Sequence, residues 1–259
     1  MFIRNERSIK EFMQSYPVVS ALVIIHLVLW FIINFLQLPI GIMIYQLGEG
    51  NNYFISQGEY WRLITPIFLH ADLMHVLFNS FSLVLFGPAL EQMLGRSKFT
   101  LAYLLAGLIG NIGTYLFAPS NYFFTHVGAS GAIFGLFGIY LFMVSFRKHL
   151  IDQVSSQIIT TILVIGLIMT FIRPNINIYG HIFGFIGGFI IAPVVLAGAK
   201  AYNPWASLVR RKRYKNDDDS IQFDPNRWEK RRFPRSTKKN ILWIILGVLA
   251  LLGLLSRFF

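Results

Sequence analysis

The sequence contains no cysteine, which removes disulfides, thiolate nucleophiles and Cys-built metal sites from consideration in any compartment. Charge is also scarce. Only 14% of the 259 residues are charged and 55% are hydrophobic, against about 25% charged in a soluble domain. Acidic residues are the scarcer kind, 12 against 23 basic, for a formal net charge of +11. In place of charge the chain carries apolar runs of about 17 to 25 residues, the length that crosses roughly 30 Å of hydrocarbon. They fall at 17–37, 67–88, 99–117, 127–146, 154–172, 177–199 and 241–257, and predict an all-α membrane protein with seven spans. The first run is too long for a removable signal peptide and lacks its small-residue cleavage site.

A basic excess on such a chain is tested first against its loops. With the N-terminus cytoplasmic, every Lys and Arg except Arg62, Arg173 and Arg257 falls in an inside segment. That bias predicts the orientation and accounts for the net charge without a nucleic-acid partner. The absence of an Arg- and Ser-rich transit peptide points to a bacterial plasma membrane. The expected organisation is a cytoplasmic segment at 1–16, a six-helix core at 17–199, a basic cytoplasmic linker at 200–240 and a seventh transmembrane helix at 241–259. The linker holds 13 basic and 5 acidic residues, with Pro204, Pro225 and Pro234 interrupting any long helix. Its charge either marks topology in solvent or contacts anionic lipid headgroups. Residues 38–65, rich in aromatics and glycine, predict an interfacial, partly buried element on the outer face.

In this topology spans two, four and six run from outside to inside. Their outer ends carry unexpected polar residues: His70, His75 and Asn79 in the second, Ser130 in the fourth and His181 in the sixth. At 1.5 Å per residue, Ser130 and His181 share a depth of roughly 5 Å. Small residues four apart let two helices approach closely. Span four has Gly131 and Gly135, and span six has Gly180, Gly184 and Gly188. Ordinary glycine packing around a buried Ser–His hydrogen bond needs the same pattern. Ionisable side chains inside a span are costly, however, and usually mark function.

Serine becomes a nucleophile when an imidazole takes its proton, and the resulting oxyanion needs donors aimed at it. His75 and Asn79, four apart, share a helix face, and the Ser130 amide near a helix N-terminus adds a third donor. No Asp or Glu lies in spans four or six, so the constellation reads as a dyad for acyl transfer to water. Other chemistries fail on particular residues. There is no His-Glu-x-x-His, and His70 and His75 are five apart. Asp72, Glu91 and Asp152 lie at span ends or in a connection, not as a paired intramembrane set. Gly128-Ala129-Ser130-Gly131 is followed by Ala132, which breaks the soluble-hydrolase elbow. The charged, helix-lining residues of a transporter are lacking as well. His26 reads as a packed core histidine and His126 as an outer-loop residue away from the chemistry.

Three motifs together resemble the rhomboid intramembrane serine proteases: "EYWRLITPIFLHADLMHVLFN" (59–79), "GASG" (128–131) and "GHIFGFIGG" (180–188). The likeness covers roughly residues 17–199. It implies Ser130 as nucleophile, His181 as general base, and His75, Asn79 and the Ser130 amide as the oxyanion site. Gly128, Gly131, Gly184 and Gly188 are the motif glycines. The resemblance implies no cofactor and no metal, and it implies transmembrane protein substrates that enter from the lipid bilayer and are cut near the surface. Trp61 and Arg62 match the family's Trp-Arg pair, and Arg62 is expected to organise the outer loop. Glu91 matches a structural acidic position. Phe134 stands where a six-helix relative has tyrosine, which leaves the orientation of His181 to packing. The seventh span resembles a six-plus-one layout. The alternative within the family is a non-catalytic rhomboid-like protein that binds membrane clients; such proteins commonly lack the serine or the histidine, and both are present here.

Overall fold

The computed structural model describes residues 6–173 and 176–203. The predicted seventh span and all of the basic linker beyond Asn203 lie outside them. The described chain is helical: α1 (Ile9–Ser15), α2 (Pro17–Trp30), α3 (Pro39–Gly48), α4 (Asn52–Ser56), α5 (Leu73–Leu94), α6 (Arg96–Phe117), α7 (Ser130–Phe146), α8 (Gln153–Ile172) and α9 (Ile178–Val195). A π-helical turn, Phe31–Phe35, prolongs α2. Pro17–Phe35, α5, α6, α8 and α9 are each long and apolar enough to cross a membrane. α7, at 17 residues, is shorter. It is also the central helix, buried without a break from Ala132 to Tyr140. A helix encased in protein can stop short, because the backbone beyond its ends still finds partners. The Gly128 amide donates to Pro66 O at 2.9 Å, and Asn52 Nδ2 donates to Thr114 O and Ala118 O at the end of α6.

Several boundaries differ from the expectation. The second span, expected at 67–88, runs from Leu73 to Leu94. Residues Thr65–Phe68 form a separate 3-10 turn around Pro66, and the Asp72 side chain caps the helix by accepting from His75 N at 2.8 Å. At its far end the helix passes through Pro88 and stops at Gly95, whose φ of 77° suits glycine. The fourth span starts at Ser130 rather than 127, so the serine is its first residue rather than one turn below its start. The sixth ends at Val195, followed by a turn with Gly198 at φ 73°.

Glu91 shows how the ends are tied. α2 begins at Pro17 with no side-chain cap of its own, which leaves first-turn amides without intrahelical partners. The Glu91 carboxylate accepts from Val18 N at 3.0 Å and from Val19 N at 2.8 Å, so a buried charge from α5 caps a different helix and meets its positive end. Glu91→Gln keeps one acceptor and turns the other into a donor facing an N–H. We expect it to cost about 1–3 kcal/mol, read as a lowered thermal midpoint of the detergent-solubilised protein. Nearby, Lys98 Nζ donates to Ala197 O at 2.8 Å, and Gln92 exchanges two hydrogen bonds with the Asn203 backbone.

The segment between the first two spans is structured. β1 (Gly50–Asn51) pairs antiparallel with β2 (Thr125–His126), with Gly50 opposite His126. This joins the 38–65 segment to the loop that leads into α7.

Candidate active site

α7 and α9 approach to backbone contact. A Cβ on Gly131 would stand 3.1 Å from Gly180 O, and one on Gly135 would stand 3.0 Å from Gly184 O. In the other direction, Cβ atoms on Gly184 and Gly188 would overlap the carbonyl oxygens of Gly131 and Gly135. Each glycine of one helix thus faces backbone of the other, turn by turn. Two glycines outside the expected set extend this seam: Gly138 faces Phe185 O, and Gly110 brings α6 against Gly180 O and Gly184.

The seam brings Ser130 and His181 together. Ser130 Oγ lies 2.7 Å from His181 Nε2, and the serine amide is among the N–H groups at the start of α7 that have no intrahelical acceptor. His181 sits in the first turn of α9. That turn is held by Asn177, whose Oδ1 accepts from Gly180 N at 3.0 Å while its Nδ2 donates to Thr114 Oγ1 on α6 at 2.9 Å. The imidazole stacks on Phe134 with centroids 4.2 Å apart and planes 20° from parallel. Packing is not its sole support, contrary to the expectation drawn from the missing tyrosine hydroxyl. Nδ1 lies 2.8 Å from Thr170 Oγ1 on α8, so a hydroxyl reaches the ring from another helix.

His75 and Asn79 lie beside Gly128, two residues before Ser130. Gly128 has φ 128°, a backbone conformation for glycine, and a Cβ there would lie 2.5 Å from His75 Nε2 and 3.7 Å from Asn79 Nδ2. The two side chains therefore press on the backbone just before the serine. Asn79 Nδ2 is buried and has no hydrogen-bond partner among the described residues. His70 supports the same loop: the Ala129 amide donates to its Nε2 at 3.5 Å, and Asn34 Nδ2 donates to its carbonyl at 3.1 Å. The rings of His26, His70 and His75 follow one another at 4.9 and 5.0 Å. His26 is fully buried, and neither of its ring nitrogens is hydrogen-bonded among the described residues.

Arg62 is 2% exposed. Its guanidinium donates to Glu59 Oε2 at 2.6 Å and to the carbonyls of Gln46 and Glu49 at 2.8 Å each, and lies over the Phe54 ring. It thereby ties the end of α3 to the 3-10 turn that follows α4, away from the dyad. Trp61 is half exposed, and its indole N–H donates to Leu47 O at 3.0 Å. Glu49 sits beside β1; burial raises its carboxyl above the usual range, opposed by Arg62 and by a hydrogen bond from Thr125. Burial holds the His126 imidazole down to about 4, so this loop histidine is neutral near pH 7.

Among the sequence-predicted residues, Ser130, His181, His75, Asn79, Gly128, Gly131, Gly184, Gly188 and Phe134 come together, while Trp61, Arg62 and Glu91 lie elsewhere. Thr170 and His70 have contacts at the site that sequence reasoning did not assign. Thr170 carried no signal, because span five also holds Thr160 and Thr161. No group of three or more His, Asp or Glu among the described residues is arranged to hold a metal ion.

An all-α bundle with several spans long enough to cross a bilayer, holding paired Ser and His at one end, defines an integral, multi-pass membrane protein. The rhomboid domain model matches residues 57–198. The rhomboid YdcA of Bacillus subtilis (strain 168) is 50% identical over 183 residues, 70% of this chain and 89% of YdcA. Rhomboid protease GluP of the same organism is 42% identical over 135 residues, 52% of this chain and 26% of GluP. Rhomboid-like protease 1 of Toxoplasma gondii is 33% identical over 169 residues, 61% of this chain and 56% of that protein. The chain belongs to the rhomboid family.

Proposed function

We propose that this protein is an intramembrane serine protease that hydrolyses peptide bonds in or near the transmembrane segments of other membrane proteins. The observation that carries the reading is the 2.7 Å approach of Ser130 Oγ to His181 Nε2 at the N-terminus of α7. Relatives named as proteases support it. Ser130 Oγ attacks the scissile carbonyl carbon while its proton passes to His181 Nε2. The oxyanion forms beside Gly128, where the Ser130 amide, Asn79 Nδ2 and His75 serve as donors. The unpartnered Asn79 amide suits this role, since a buried donor without an acceptor is otherwise costly. His181 then protonates the leaving amine, and water attacks the acyl-enzyme by the same route in reverse.

The N-terminus is cytoplasmic in this reading, and the site opens to the outer face of a bacterial plasma membrane. Arg96, Lys98, Arg147 and Lys148 lie at the end of the bundle away from Ser130, which agrees with the positive-inside bias. The positive charge of the 200–240 linker supports contact with anionic lipid.

The test is incubation of the purified full chain in liposomes with a single-span substrate carrying a small residue near its outer end, beside Ser130→Ala. Cleavage by the parent and none by the variant supports the reading. If both bind the substrate and leave it whole, a non-catalytic client-binding role replaces it.

A further inference from the structure

We propose that Thr170 is a positioning residue that fixes the tautomer of His181, so that α8 supplies the group that readies the dyad to react. This inference rests on the protease reading for its kinetic consequence. Its structural content stands on the hydrogen bonds alone.

The Thr170 hydroxyl has one proton and two close neighbours: Gly166 O at 2.8 Å, one turn back on the same helix, and His181 Nδ1 at 2.8 Å. If the proton pointed to Nδ1, the Oγ1 and Gly166 oxygens would face each other at hydrogen-bond distance with no hydrogen between them. Both contacts are satisfied when the hydroxyl donates to Gly166 O and accepts from an Nδ1–H. The neutral imidazole then carries its proton on Nδ1 and presents the Nε2 lone pair to the Ser130 hydroxyl, 2.7 Å away. That is the form a general base needs. After proton transfer the imidazolium keeps the same Nδ1–H donor to Oγ1, so no group has to turn over during the step. A backbone carbonyl and a neutral hydroxyl thus do the orienting that a buried carboxylate does in a triad.

Where Thr170 sits gives the second consequence. Among the described residues α8 buries only Ser155, Ile159, Leu163 and Thr170, and Thr170 is the only residue of α8 whose side chain hydrogen-bonds another helix. Gly166, on the same face, leaves room for Phe134, whose ring would lie 3.2 Å from a Cβ there. A displacement of α8 by an ångström or more therefore loosens the Nδ1 contact and the Phe134 support together.

The experiment compares Thr170→Val, which keeps the shape and removes the hydroxyl, with Thr170→Ser, which keeps the hydroxyl, in the full chain after confirming that both fold. Two readouts are taken: kcat and KM on the single-span substrate, and the tautomer of His181 from ¹⁵N chemical shifts of histidine-labelled protein, assigned by difference with His181→Ala. Thr170→Val should lower kcat by about 10- to 100-fold with KM within about threefold, and should mix the two tautomers. Thr170→Ser should restore both. Parental kcat and an unchanged Nδ1–H tautomer in Thr170→Val overturn the proposal, as does an equal fall in both variants with the tautomer intact. If the parent itself does not cleave, the protease reading fails, and the ¹⁵N spectrum still decides the role of Thr170.

Discussion

His181→Ala should lower turnover of a transmembrane substrate by about 10⁴-fold or more, and adding Ser130→Ala to it should lower it no further. A serine hydroxyl is almost wholly protonated near neutral pH, and in the described structure one basic nitrogen approaches Oγ, His181 Nε2 at 2.7 Å. Removing the imidazole removes the proton acceptor for attack and the donor for the leaving amine. The two residues therefore act as one unit, and the double variant shows no added loss. The alternative explanation is collapse of the site, since the ring also stacks on Phe134 and bonds Thr170. Substrate binding separates the two cases: it should survive in His181→Ala if the loss is chemical. Turnover within tenfold of the parent would remove His181 from the mechanism.

Gly184→Ala should lower activity on the order of 10²-fold or more and destabilise the fold, and Gly188→Ala should do nearly the same. The atoms a new Cβ would meet are the Gly131 and Gly135 carbonyl oxygens, which belong to helix backbone and cannot swing aside as a side chain can. To relieve the overlap α7 and α9 must part by roughly 1 Å, at a cost of about 1–3 kcal/mol or somewhat more. The dyad spans that same gap, and a misplacement of about 1 Å can cost on the order of 10²-fold in rate. Gly131→Ala supplies an internal scale. Its Cβ would stand 3.1 Å from Gly180 O, a tight contact relieved by a few tenths of an ångström, so its loss should be milder. Thermal midpoints of the three variants in detergent, with the rate of Ser130 labelling by a fluorophosphonate, check the order. Equal behaviour of Gly131→Ala and Gly184→Ala would contradict the close-packing account.

The apolar helices within 17–199 and the residues that meet at the site were legible in the chain because each rests on local information. Run length decides whether a segment crosses lipid, and glycines four apart declare which face approaches a neighbour. Ser130 and His181 pair on the sequence alone because the fourth and sixth apolar runs point the same way, which sets a common depth. Helix starts were less legible. The second span was expected six residues too early because apolar content alone does not register that Pro66 turns the chain and that the Asp72 side chain caps the helix.

The parts decided by tertiary structure all involve a polar group whose partner lies far along the chain. Glu91 looks like the polar end of a span until α2 places the Val18 and Val19 amides against it. Thr170 is one threonine among several in an apolar helix until α8 packs where its hydroxyl meets His181. The pairing of Gly50 with His126 joins two loops about 75 residues apart. Hydrophobic periodicity and span length are properties of consecutive residues, and the amino-acid order carries them in full. A hydrogen bond between helices depends on helix rotation and spacing to within a few tenths of an ångström, and only the packing of the helices against one another sets those.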